Sequence, residues 1–243
     1  MAINTKVMIA ASVLLAVSFW NRNDFPADIP LLPSVHNEPM QKRLSGKQPF
    51  TVDWKDQDYL IEPEYDYELT GLIVSFRHQD GSSRMHRLSN DKLNMLDLCV
   101  VWGDSANNPF LNKIKFWNGV FTCNFQTRDQ AAWDAFDIYQ ISNNHLISAT
   151  EEIRDSVQSI RIGDQIRVRG QLASYTSPGG SKRGTSTTRE DTGNGACETI
   201  YVTEFDVLQR GVSMWRYVMY LAMALLLATL LVHFLSPHRA RRN

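Results

Sequence analysis

Neither sign of charge dominates this sequence: 25 basic residues stand against 26 acidic ones among 243. That balance removes any global pull towards nucleic acid or an anionic surface. Cysteine is scarce, three residues in all, so at most one disulfide can close within the chain. Proline is rare beyond residue 64; six of the nine fall between 21 and 64. No cofactor motif is present, and no cofactor is expected. A chain of this length makes one or two domains.

What is there is unevenly spread. The hydrophobic residues gather at both ends. The run YVMYLAMALLLATLLVHFL, Tyr217 to Leu235, holds one ionisable side chain, His233. As a helix its 19 residues span about 29 Å, close to the ~30 Å hydrocarbon core of a bilayer. Trp215, Arg216 and Tyr217 stand where interfacial anchors belong. Arg239, Arg241 and Arg242 come next, in a basic tail that favours the cytoplasm. A buried core helix would keep a polar stripe, and this segment has none. The expectation is a transmembrane helix over 215–236 and a cytoplasmic tail over 237–243.

The N-terminal pile, Val7 to Trp20, comes after Lys6 and is 14 residues long, about 21 Å as a helix and short for a span. Two readings of residues 1–21 stand. One is an uncleaved signal anchor. The other is a signal peptide cut near Ala16-Val17-Ser18, a small-x-small site after an apolar run. The bulk of Phe19-Trp20 favours the anchor. Both readings export the chain beyond residue 21.

Residues 22–64 carry Pro26, Pro30, Pro33, Pro39, Pro49 and Pro63. Each proline fixes φ and removes a donor. The expectation is an extended linker, with Trp54, Tyr59 and Leu60 docking on the domain beyond it. The exported compartment permits a disulfide. Cys123 with Cys197 is the expected pair, leaving Cys99 as a buried thiol; the alternative is three unpaired buried cysteines.

The domain is placed at 65–209. YDYELTGLIVSF is apolar on both faces, Leu72, Val74 and Phe76 on one and Leu69, Gly71 and Ile73 on the other, as in a covered strand. A turn at Asp80-Gly81 leads into RMHRL as a second strand, and the apolar run Leu93 to Trp102 comes after it. KIKFWNGVFTCNF reads as a hairpin around Asn118-Gly119, pairing Trp117 with Val120 and Phe116 with Phe121. That register puts Ile114, Phe116, Phe121, Cys123 and Phe125 on one face. Thr127 with Gln130, and Ser148 with Glu151, fit capping boxes of two short helices. The second helix carries Ile153, Val157 and Ile160 at helical spacing. Between them the polar ISNNHL reads as a loop. Gly163-Asp164 turns into a strand with Ile166, Val168 and Leu172 on one side and Arg167, Arg169 and Gln171 on the other. Gly170 marks a bend or bulge in it. Glu198 to Leu208 is the last strand.

The run ELTGLIVSF, then GDQIRVRG, then VTEFDVL resembles the strands of oligonucleotide/oligosaccharide-binding (OB) barrels, a likeness of fold alone. ISNNHL, GDQIRVRG and RGTSTTREDTGNGACETIYV together resemble an uncharacterised family of bacterial membrane-anchored proteins, over roughly Asp97 to Leu208. That resemblance implies no activity.

Three constellations bear on chemistry. Asp191-Thr192-Gly193 matches the tripeptide of aspartic proteases, but polar flanks and a single copy oppose that chemistry, which needs two carboxylates. Glycines 193 and 195 suit a tight turn. Cys197 as a nucleophile needs a base, and His145 is the best candidate, although no spacing rule joins them. His78 and His86 show no metal-ligand spacing, so no metal is expected. Lys182, Arg183 and Arg189, with Arg167 and Arg169 of the neighbouring strand, would form a basic ligand-binding patch. Against that stands a solvated face, since Glu190, Asp191 and Glu198 intervene.

The sequence therefore predicts a mainly β (α+β) chain: a small OB-like barrel with two short helices, plus one or two transmembrane helices. It reads as a non-enzymatic protein of the bacterial inner membrane. Its main domain would be periplasmic, and its partners the lipid bilayer and a membrane or envelope protein. A membrane-tethered hydrolase or transferase using Cys197 or Asp191 with His145 is the alternative. A nucleic-acid-binding OB-like module, with the topology inverted, comes third.

Overall fold

The computed structural model describes residues 3–26, 28–46, 48–79, 91–119, 121–188 and 197–235. Asp80-Gly81, RMHRL with His86, Val120, Arg189, Asp191 and the arginine tail lie outside them. The helices are α1 (Ile3–Asn21), α2 (Gly103–Ala106), α3 (Gln130–Asp134), α4 (Glu151–Ser156) and α5 (Met214–Leu235). The strands are β1 (Met40–Arg43), β2 (Phe50–Asp53), β3 (Asp58–His78), β4 (Asn94–Val101), β5 (Lys115–Asn118), β6 (Cys123–Gln126), β7 (Ile141–Ile147), β8 (Gln165–Thr176), β9 (Lys182–Arg183) and β10 (Cys197–Gln209). They form two compact units, Met1–Pro26 with Val212–Asn243, and Ala27–Gly211.

In the first unit α1 and α5 run antiparallel. Asn4 Nδ2 donates to the Thr229 carbonyl at 3.3 Å near one end, and Arg216 donates to Asn23 Oδ1 at 3.2 Å near the other. Helix α5 is 22 residues long, about 33 Å, with Arg216 and Ala222 as its buried residues. Among the described residues it is the one helix long and apolar enough to cross a bilayer. Helix α1 is longer than the apolar run alone, since it takes in Asn4, Thr5 and Lys6.

The second unit closes a sheet on itself. Strand β3 pairs with β4, β4 with β7, β7 with β10, β10 with β8, and β8 with β3 again. All these pairs are antiparallel except β7–β10, which is parallel. This is a five-stranded OB-like barrel, with α4 between its third and fourth strands. Closure removes the exposed edges that an open sheet of these strands would leave. Leu69, Ile73, Leu96, Leu98, Leu146, Val168, Leu172 and Ile200 are among the side chains that fill it, joined by Val157 and Ile160 after α4.

Several expectations need correction. The arm at 22–64 is built into the sheet: β1 pairs with β3 (Met40 opposite Glu68), and β2 with the start of β3 (Phe50 opposite Ile61). Tyr59 is buried in a second apolar cluster with Ile61, Leu93 and Tyr175, and Trp54 packs on it, while Leu60 is exposed. Pro63 is tolerated because the ladder with β8 shifts register between Pro63 and Tyr65. The NG hairpin is two residues wider than its turn chemistry suggests, with Asn118 opposite Cys123 and Phe116 opposite Phe125. The Asn118 side chain explains this. It accepts from Ser75 Oγ at 2.6 Å and donates to the Asp97 carbonyl at 3.4 Å, so it ends a strand instead of starting a turn. Helix α3 is capped by Asp129, which accepts from Ala132 N at 3.0 Å, not by Thr127. Helix α4 begins after Thr150 with no side-chain cap.

The bulge anticipated at Gly170 lies on its partner strand, between Val202 and Glu204. Gly170 is required there for another reason. A Cβ would collide with the Tyr201 carbonyl and sit 3.0 Å from the Val202 Cα.

Candidate functional site

ISNNHL is the largest correction, because it is strand β7 and not a loop. Its polarity misleads, since buried polar groups on it find partners on other strands. Asn144 donates to the Leu98 carbonyl at 3.2 Å and to Ser142 Oγ at 2.7 Å. Asn143 and His145 share the opposite face, as residues two apart on a strand must.

Three elements converge on that face. Asp97 of β4 lies directly opposite His145. On the other side of β7, Cys197 opens β10 opposite Asn143, and Thr199 stands opposite His145. His145 Nδ1 meets Asp97 Oδ1 at 2.6 Å. Asn94 Nδ2 donates to the same oxygen at 3.0 Å, and Gln79 Nε2 donates to Asp97 Oδ2. The carboxylate is 0 % exposed and the histidine 3 %.

Electrostatics follow from these contacts. Burial alone would raise Asp97, but hydrogen bonds from His145, Asn94 and Gln79 outweigh it and hold the carboxyl below its usual range. Burial alone would likewise lower His145. Hydrogen bonds and charge from Asp97 and Cys197 overcome that and lift it to about 9. At neutral pH the pair is therefore an imidazolium on a carboxylate. Asp97 takes Nδ1, and Cys197 lies on the same face, opposite Asn143.

Cys197 is a half-buried free thiol. Asn143 Nδ2 donates to its Sγ at 3.1 Å and to the Phe121 carbonyl at 2.9 Å, and Sγ lies 3.7 Å from that carbonyl. Phe121 has φ +59°, a left-handed conformation that costs a bulky side chain about 1–2 kcal/mol. Its ring meets the His145 ring edge-on at 5.8 Å, and the Arg183 guanidinium stacks on it at 3.8 Å. Phenylalanine thus covers the histidine and carries the arginine, while Cys197 is only half-buried.

The disulfide joins Cys99 to Cys123, with Cα atoms 5.6 Å apart, and not Cys123 to Cys197. The register explains the choice. Cys99, Asn143 and Cys197 form one row across β4, β7 and β10, and the β5–β6 hairpin hangs over the β4 end of that row.

The expected basic patch is otherwise engaged. Arg167 pairs with Asp206 at 2.7 Å, Arg169 with Glu68 at 2.8 Å and Glu204 at 3.1 Å, and Lys182 with Glu62. Arg183 stacks on Phe121, and Arg189 lies outside the described residues. His78 packs edge-on against Phe76 at 5.3 Å, away from the cluster, and burial lowers it.

The sequence singled out His145 and Cys197 but not Asp97. The signal for Asp97 was a carboxylate inside the apolar run LNMLDLCVV, where a buried charge needs a partner. Asn143 and Phe121 carried no such signal. Compared with known proteins, the chain matches no family, no curated protein and no solved structure.

Proposed function

We propose that this chain is a membrane-anchored envelope protein whose OB-like domain lies outside the inner membrane and binds a neighbouring envelope protein. Helix α5 supports the anchoring, and the arginines beyond it support a cytoplasmic C-terminus. The Cys99–Cys123 disulfide fits an oxidising compartment. The N-terminal helix fits a second, uncleaved anchor. Confinement to the bilayer raises the domain's effective concentration for partners in the same membrane.

The observation that carries the binding reading is the segment between β4 and β7. It builds its own aromatic cluster, with Phe125 stacked on Trp133 and tilted 4.9 Å from Phe136. It also leaves Trp133 49 %, Tyr139 50 % and Trp117 39 % exposed, together with Ile138. Exposed tryptophan and tyrosine are the residue types that anchor protein interfaces. The ion-paired arginines of β8 argue against a polyanionic ligand there.

The test is site-specific photo-crosslinking in native membranes. A photoreactive residue at Trp133 or Tyr139 should give one discrete adduct with a membrane or envelope protein, and one at Leu60 should not. Indiscriminate adducts from all three positions, or protection of the domain from protease added outside the inner membrane, would overturn the reading.

A further inference from the structure

We propose that Cys197, His145 and Asp97 form a nucleophilic relay that takes an acyl group from an ester or thioester onto Cys197 Sγ. This goes beyond partner binding and does not depend on it.

A buried His–Asp pair by itself would be explained as a clamp between β4 and β7. Three observations exceed that role. The third member is a half-buried cysteine outside the disulfide, the first residue of β10. The histidine is held by the carboxylate through Nδ1 and shares one face of β7 with Asn143, the residue directly opposite Cys197. The sulfur is oriented by Asn143 Nδ2 at 3.1 Å, and Asn143 Oδ1 is buried with no hydrogen-bond partner among the described residues. A thiol on the same face as a base that is itself held by a carboxylate is the arrangement from which acyl transfer can be built. Cys197 and His145 are the catalytic residues, and Asp97 is a positioning residue.

The chemistry balances with water as the only co-reactant. The Cys197 thiolate attacks the acyl carbon, and the S–C bond forms as the bond to the leaving oxygen or sulfur breaks. The leaving group takes the proton from His145 Nε2, which becomes neutral. Water then attacks the thioester and gives one proton to His145. The S–C bond breaks, the carboxylic acid departs, and thiolate and imidazolium are restored. Asp97 keeps its negative charge throughout and fixes the ring through Nδ1. Among the described residues, the charged groups near the thiol and its histidine are Asp97 of β4, Arg77 of β3 opposite it, Arg183 of β9 on Phe121, and Glu198, which comes after Cys197 on β10.

The experiment uses the full chain in detergent with p-nitrophenyl acetate as the acyl donor. The expected result is a burst of about one p-nitrophenolate per chain. Intact and peptide mass spectrometry should place one acetyl group on Cys197, removable by neutral hydroxylamine. Cys197→Ser should abolish the burst. His145→Gln should slow it about a hundredfold, within the range for losing an acid–base group. Asp97→Asn should shift the pH profile of acylation, which a purely structural role would leave in place. Retention of the Cys99–Cys123 disulfide and of the thermal melt shows that each variant is folded. The wild-type acetylation site and pH profile are decisive without any variant. An unacetylated Cys197 in the wild type overturns the proposal, and so does a folded His145→Gln chain that acylates at the wild-type rate. Alkylation of Cys197 by iodoacetamide without ester acylation also overturns it.

Discussion

His145 of β7 holds Asp97 of β4 at 2.6 Å inside a site where the two are 3 % and 0 % exposed. Neither charge could remain there alone. Removing one partner of such a pair leaves an uncompensated buried charge, at a cost of about 3–5 kcal/mol. The pair therefore serves the fold as well as any chemistry, and both roles respond to pH.

The pH dependence has a defined sign. His145 is raised from an ordinary value near 6.5 to about 9 in the folded chain. Its contribution is fully present below about pH 6.5 and is lost as pH rises through 9. Asp97 is held below its ordinary value, so its contribution is present above about pH 4 and lost as pH falls through its folded value. The histidine's share amounts to about 3 kcal/mol. Melting temperature should therefore fall between pH 6.5 and 9 in the wild type, and this slope should flatten in His145→Gln. A slope unchanged by the substitution would refute the assignment.

Cysteine pairing gives a second prediction. Cys99 and Cys123 are 24 residues apart, and closing a loop of that size contributes about 3 kcal/mol in the chain-entropy model. Cys99→Ser should lower stability by about that amount, while Cys197→Ser leaves the bridge intact. Peptide mapping under non-reducing conditions checks the pairing, and denaturant titration checks the loss.

Gly170 and the outer arginines should behave in opposite ways. Gly170→Ala places a methyl against the Tyr201 carbonyl and should cost about 1–3 kcal/mol. Arg167→Ala and Arg169→Ala remove half-exposed ion pairs, and each should change stability by less than about 1 kcal/mol. Urea unfolding of the three variants compares them directly.

Helix α5 should keep the chain in the membrane fraction through an alkaline carbonate wash. Leu226→Arg, at the helix centre, should weaken insertion by about 3 kcal/mol. The check is the amount of chain released to the wash, which should rise in the variant.

How far the residues alone could be read depends on the range of the interaction. The run from Tyr217 to Leu235 specifies a lipid-compatible helix in its own composition, because solvation acts residue by residue. The alternation of Ile166, Val168 and Leu172 specifies a strand for the same local reason, and with β3 and β10 it was enough to point to an OB-like barrel. Strand β7, the wider hairpin and the pairing of Cys99 with Cys123 could not be settled that way. Each depends on a neighbour distant in the chain: Asp97 for His145, Ser75 for Asn118, and the β4–β7–β10 row for the cysteines. Barrel closure set those neighbours, because it fixes strand register across the sheet, and register decides which side chains share a face. The sequence by itself determined a helix long and apolar enough to cross a bilayer and four of the five barrel strands; only the tertiary structure brought a thiol, an imidazole and a carboxylate onto one face.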